Sequence, residues 1–148
     1  MGDEADSEPD QRVFLLLQQA AHRLRIWADR RCVDLAGVTT AQTGALFALH
    51  DRPMSTQREL AAALGQRESA VTAMVRRLLD ADLVSRHPSP DDHRAHLLAL
   101  TPAGTAALNL VRPMVAEFNT MLKRVLGADG PASLAAALRT LRDTDEFR

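Results

Sequence analysis

The sequence predicts a mainly α-helical chain that carries one small β-hairpin, and three observations lead there. Apolar residues recur every three or four positions along both flanks of the chain. A helix-start signature stands at Thr56 and another at Thr101. Between them runs a short, proline-bounded stretch with the branched residues of a strand. At 148 residues and 46% hydrophobic composition, the chain has the size of one domain and ample material for its core.

Taken in order, the first helix is carried by Val13, Leu16, Leu17, Ala20, Leu24 and Trp27, which form one apolar stripe that Gly37 closes. The next clear signal is Thr56 to Glu59. A hydroxyl and a carboxylate three residues apart each satisfy a free amide of the first turn, so a capping box starts a helix at about Thr56. Leu60, Ala63 and Leu64 share an apolar face, and Gly65 ends the helix after two to three turns. A second helix must follow at once, because Val71, Met74, Val75, Leu78 and Leu79 repeat at helical spacing while Ser69, Thr72, Ala73, Arg76 and Arg77 face elsewhere.

Two short helices joined by a glycine turn make a helix-turn-helix, whose second helix enters the major groove of DNA. Ser69, Ala70, Thr72, Ala73 and Arg76 are the candidate base readers. Small side chains allow close approach, hydroxyls bond bases or phosphates, and arginine pairs bidentately with guanine. Arg77 is assigned to phosphate, and Thr56, Gln57 and Arg67 join the candidate DNA-binding set at the two helix starts. Leu83 to His87 then reads as a strand stopped by Pro88 and Pro90, and Ala95 to Leu100 as its return. Arg86 and His87 on this wing, and Asp92 and Arg94 at its tip, complete the set. The Asp92 carboxylate is expected to hold the tip and orient Arg94, which would reach into a narrow minor groove. Thr101 and Pro102 start the next helix as N-cap and first helical residue.

The ordered set resembles the MarR family of bacterial winged helix-turn-helix regulators, in which the wing carries Asp-x-Arg followed by Leu-Thr-x-x-Gly. Here these are Asp92, His93, Arg94 and Leu100, Thr101, Pro102, Ala103, Gly104, and Val38 to Gln42 is similar to the opening of the family's second helix. The resemblance covers nearly the whole chain. It implies a homodimer on a pseudo-palindromic operator, with release in many members by a small aromatic or phenolic anion or by thiol oxidation. Two departures stand out: Gln66, Arg67 and Glu68 replace a good cap at the recognition-helix start, and Asp82 takes the place of a glycine before the wing.

The flanking helices predict assembly. Leu108, Val111, Val115, Phe118, Leu122 and Val125 form one further stripe, and Leu134, Leu138 and Leu141 another, with Gly127 and Gly130 between them; Pro113 should kink the longer helix near Asn109. The small winged domain cannot cover all three stripes, so pairing with a second copy is expected to hide them. A two-fold dimer would set two recognition helices about 34 Å apart, one turn of DNA.

The expected organisation is a disordered acidic arm over residues 1–10, a winged helix-turn-helix domain over 38–104, and dimerisation helices over 11–37 and 105–148. The arm holds five acids and no base, so removing it from the formal charge of -1 leaves +4 on the body. From Thr56 to Thr101 six arginines balance six acids, and any positive face must come from placement. No membrane-length apolar run or signal peptide is visible, which points to the cytoplasm. A single cysteine excludes an internal disulfide. Cys32 lies beside Arg30 and Arg31, whose charge favours the reactive thiolate, so it is a candidate redox residue as well as a small core hydrophobe. The sensor idea fits poorly with a chain that lacks tyrosine, since the family's peroxide sensors place tyrosines near their cysteine.

For an effector, His22, Arg23, Trp27, His50 and Arg112 are the candidates for stacking, hydrogen bonding and charge. His87, His93 and His96 do not make a convergent metal set, no cofactor is expected, and no catalytic constellation is recognisable. The reading is therefore a dimeric, sequence-specific DNA-binding regulator, a repressor released by a small aromatic ligand. A helical interaction or scaffold protein without DNA specificity, and a thiol-based sensor using Cys32, stand as the alternatives.

Overall fold

A computed structural model describes residues 12–146, and the acidic arm lies outside the described residues. Six helices and three strands follow in the order α1 (Val13–Ala36), α2 (Thr40–Asp51), β1 (Ser55–Thr56), α3 (Gln57–Ala63), α4 (Glu68–Asp80), β2 (Val84–Pro88), β3 (His96–Leu100), α5 (Pro102–Leu126) and α6 (Gly130–Asp143). Their starts follow local chemistry. Thr39 with Gln42, and Thr56 with Glu59, each close a reciprocal capping box, and Thr101 caps α5 ahead of Pro102. At Thr56 the backbone amide and then the hydroxyl hold the Glu59 carboxyl below its ordinary range, which keeps the box ionised near neutrality. Gly37 and Gly65 take the left-handed conformations that end α1 and turn α3 into α4.

One core joins these elements. Leu46 and Leu49 of α2, Leu60 of α3, Val71, Val75 and Leu78 of α4, Val84 and Leu98 of the sheet, and Leu108 and Val111 of α5 are all buried within it. The expected hairpin is there, with one strand more. The sheet order is β1-β3-β2, all antiparallel, with Ser55 opposite Leu98 and Val84 opposite Leu100. The two residues of β1 are too few to give an alternating pattern, and only β3 makes them a strand.

The strand β2 ends at Pro88, opposite His96, where the last position of an edge strand needs no outward amide. One local expectation needs correction: Ala61, not Ala63, joins Leu60 in the core. Helix α5 runs from Pro102 to Leu126 with Pro113 inside it.

Asp82 adopts a left-handed conformation, φ 55°, which favours glycine over a residue with a Cβ. Its carbonyl accepts a hydrogen bond from the Thr101 hydroxyl, which in turn accepts from the Gly104 amide, and the Thr101 amide donates to the Leu83 carbonyl. The end of the recognition helix, the wing and the start of α5 thus meet at one residue. A Cβ on Gly104 would overlap the Leu83 carbonyl oxygen, so the helix must approach without a side chain. We expect Gly104→Ala to destabilise the fold by about 1–3 kcal/mol, the usual cost of overpacking. Urea unfolding would register this as a lower midpoint at unchanged slope, and an unaltered midpoint would contradict the close approach.

Candidate nucleic-acid interface

Burial of Val71, Val75 and Leu78 fixes the roll of α4, and it leaves Ser69, Ala70, Thr72, Ala73, Arg76 and Arg77 exposed on the opposite side. The helix starts with Arg67 as an N-cap whose side chain makes no capping bond, and Glu68 occupies its first turn. The candidate cap Ser69 is already inside the helix. Asp80 and Asp82 lie at and beyond the other end of α4, roughly 16 Å along the axis from Ser69.

Beside the start of α4, the wing and α3 enclose a recess of about 380 Å³ whose lining includes Gln57, Arg58, Glu68, Arg86, Arg94 and His96. Arg58 and His96 were missed in the sequence, where nothing marks them apart from other exposed charges. Among the described residues no ion pair uses Arg58, Arg67, Arg76, Arg77, Arg86 or Arg94. Among the described residues their charge is therefore not neutralised by an ion pair, although the segment as a whole is balanced.

Several polar candidates are already committed. Thr72 donates its hydroxyl to the Glu68 carbonyl at 3.0 Å and accepts from the Gln57 amide nitrogen at 2.8 Å. His87 bonds Ser85 on its own strand at 2.8 Å. Thr56 spends its side chain on the capping box. Asp92 holds the wing tip differently from expectation, since its carboxylate accepts the backbone amide of Arg94 at 2.9 Å and leaves the guanidinium unpaired. Ser89, unremarked in the sequence, completes the tie: its hydroxyl accepts the amides of Asp91 and Asp92 at 3.3 Å each. A serine ahead of Pro-Asp-Asp is a turn-forming signal that composition already carried.

The five effector candidates are not brought together. His50 and Arg112 do meet, at 3.0 Å, with the Arg112 guanidinium over the Phe47 ring. Trp27 instead stacks obliquely on Phe118, with ring centroids 5.7 Å apart. It lines a separate apolar recess of about 270 Å³ with Leu24, Met114, Val115 and Phe118, bordered by Arg25 and Thr40. His22 and Arg23 lie about one turn earlier on α1 and line another surface hollow, although Arg23 shares a further one with Trp27. They fail as a set because helical position, which spreads residues around an axis, was not resolved against the neighbouring helices. Beside this recess the Thr40 amide donates to the Asp29 carboxylate at 2.7 Å, and Thr40 holds that carboxyl below its ordinary range, tying α1 to the start of α2.

Cys32 is 0% exposed and packs in the core, so its thiol has no access to an oxidant in this conformation. Its burial agrees with the small core hydrophobe that the sequence also allowed. Among the described residues, no three His, Cys, Asp or Glu side chains are grouped to hold a metal ion, and no single helix is long and apolar enough to cross a membrane.

Comparison with known proteins adds to this geometry. Residues 36–95 match a family model described as MarR family. The HTH-type transcriptional repressor NicR of Pseudomonas putida is 28% identical over 144 residues, 97% of this chain and 90% of NicR. The transcriptional repressor CouR, solved bound to a 23-mer DNA duplex, superposes with a TM-score of 0.74 at 31% identity, covering 88% of this chain and 95% of CouR. The PcaV transcriptional regulator from Streptomyces coelicolor, solved in complex with its natural ligand, superposes with a TM-score of 0.74 at 26% identity over 87% of this chain and 93% of PcaV.

Asp92→Ala should release the wing tip alone. Amide exchange at Arg94 and Ala95 is expected to accelerate severalfold while global stability moves by less than about 0.5 kcal/mol. Unchanged exchange at Arg94 would mean the carboxylate is not what holds the loop.

Proposed function

Because the chain belongs to the MarR family of winged helix-turn-helix transcriptional regulators, we propose that it is a homodimeric, sequence-specific repressor that reads a pseudo-palindromic site in duplex DNA and is released by a small aromatic ligand. One observation carries the DNA reading: Arg58, Arg86 and Arg94, in no ion pair among the described residues, border one open recess together with Glu68 at the start of α4, whose outer face is exposed beside it. Helix α4 supplies base contacts through Ser69, Ala70, Ala73 and Arg76, while Arg67, Arg77 and the wing arginines meet phosphates and the minor groove. The description of NicR and CouR as repressors supports repression as the outcome of binding.

Dimerisation is supported by apolar surface that the single chain leaves open. Val13, Phe14 and Leu16 on α1 are 54%, 73% and 51% exposed, and Val125 and Leu138 at the other end are 70% and 47% exposed. Three amphipathic helices with bare stripes are stable in water when a second copy covers them, and a two-fold pair presents two reading helices to successive major grooves. The decisive experiment is a mobility shift on the DNA upstream of the chain's own gene, with a salt series. Binding should involve two chains per site and fall steeply with salt. Arg76→Ala and Arg94→Ala should each cost about 1–3 kcal/mol. Equal affinity for scrambled DNA would end the sequence-specific reading.

The ligand reading rests on the apolar recess around Trp27, which lies between the dimerisation helix α1, the start of α2 and α5. At about 270 Å³ it sits at the small end of ligand pockets, which suits a single ring stacked on Trp27. Arg25 at its edge supplies a cation for an acidic substituent, and PcaV's complex with its natural ligand is a precedent for effector control in this fold. Trp27 is the only tryptophan, so ligand entry should quench the chain's intrinsic fluorescence. A panel of benzoate-type acids is expected to quench it and to weaken the DNA complex in the same rank order, and Trp27→Leu should abolish the release. Quenching without any change in DNA affinity would separate this pocket from regulation.

A further inference from the structure

The hydrogen bonds where α3 meets α4 decide which polar groups remain for DNA. A threonine hydroxyl has one proton, and that of Thr72 goes to the Glu68 carbonyl. Toward Gln57 it can therefore only accept, which turns the Gln57 amide nitrogen to Thr72 and leaves the Oε1 acceptor as the amide's outer end. Glu68 stands beside it in the same recess. Its carboxylate makes no hydrogen bond or ion pair among the described residues, although Arg58, Arg86 and Arg94 line that recess.

A free carboxylate on a surface that approaches phosphates is repelled unless it gains a hydrogen-bond donor from the DNA. In the major groove the bases offer only two kinds of donor, the amino groups of cytosine N4 and adenine N6. Guanine O6 and N7 and thymine O4 present acceptors alone. On the basis of the regulator reading above, we infer that Glu68, assisted by Gln57 as Thr72 orients it, selects an amino-bearing base over a keto-bearing base at one position of each half-site. Thr72 is then a positioning residue, not a reader, and the acid that seemed out of place at the start of a DNA-facing helix is a determinant of specificity.

The test is binding-site selection from randomised duplexes by the full chain, followed by anisotropy titration of the selected sites. The wild type should prefer cytosine or adenine at one position per half-site by about tenfold or more. Glu68→Gln presents an amide that bonds either base class, so the preference at that position should collapse while the others persist. Thr72→Val should weaken the preference at the same position, and Thr72→Ser should restore it, which a merely structural role would not do. If Glu68→Gln instead tightens binding to every sequence alike, the carboxylate acts only as a charge and the inference fails. A wild type that selects no motif at all would sink the regulator reading itself, and this inference with it.

Discussion

Burial of one stripe of α4 in the common core is the constraint on which the rest of the molecule turns. Val71, Val75 and Leu78 are each at most 2% exposed, and rolling the helix by one residue, about 100°, would bring a hydroxyl or a guanidinium into the apolar core they occupy. The apolar face is thus what aims the polar one. Ser69, Thr72, Ala73 and Arg76 look outward because their neighbours cannot.

The wing depends on a second constraint, which is polar. Asp82 leaves α4 in a left-handed turn, its carbonyl is satisfied by Thr101, and Gly104 lets α5 press against Leu83. Through these three residues the long helix α5 is hydrogen-bonded and packed to the end of α4 and the wing. The same economy governs the recess beside α4, where hydroxyls that look free in the sequence serve the protein's own backbone and acids and arginines are left facing outward.

Much of this was legible in the chain itself. The capping boxes at Thr56 and the N-cap at Thr101 are local chemistry, complete within four residues, and they appear as read. The amphipathic stripe of α4 is likewise periodic and unambiguous. What escaped notice was non-local. Ser55 and Thr56 become a strand only because β3 lies beside them, Pro88 is tolerated because β2 is an edge, and Asp92 holds a backbone amide in preference to the nearby guanidinium. His22 and Arg23 stay outside the apolar recess of Trp27 because they project from another side of α1, and Cys32, preceded by two arginines, is sealed in the core.

By itself, then, the sequence determined most of the helices, the capped starts at Thr56 and Thr101, the main apolar faces and the family, because capping, periodicity and turn chemistry act over a few residues. Only the tertiary structure decided which polar side chains are spent and which are free. That question depends on partners distant in the chain, such as Gln57 for Thr72 and Thr101 for Asp82, and a hydrogen bond is settled by where two groups meet in space.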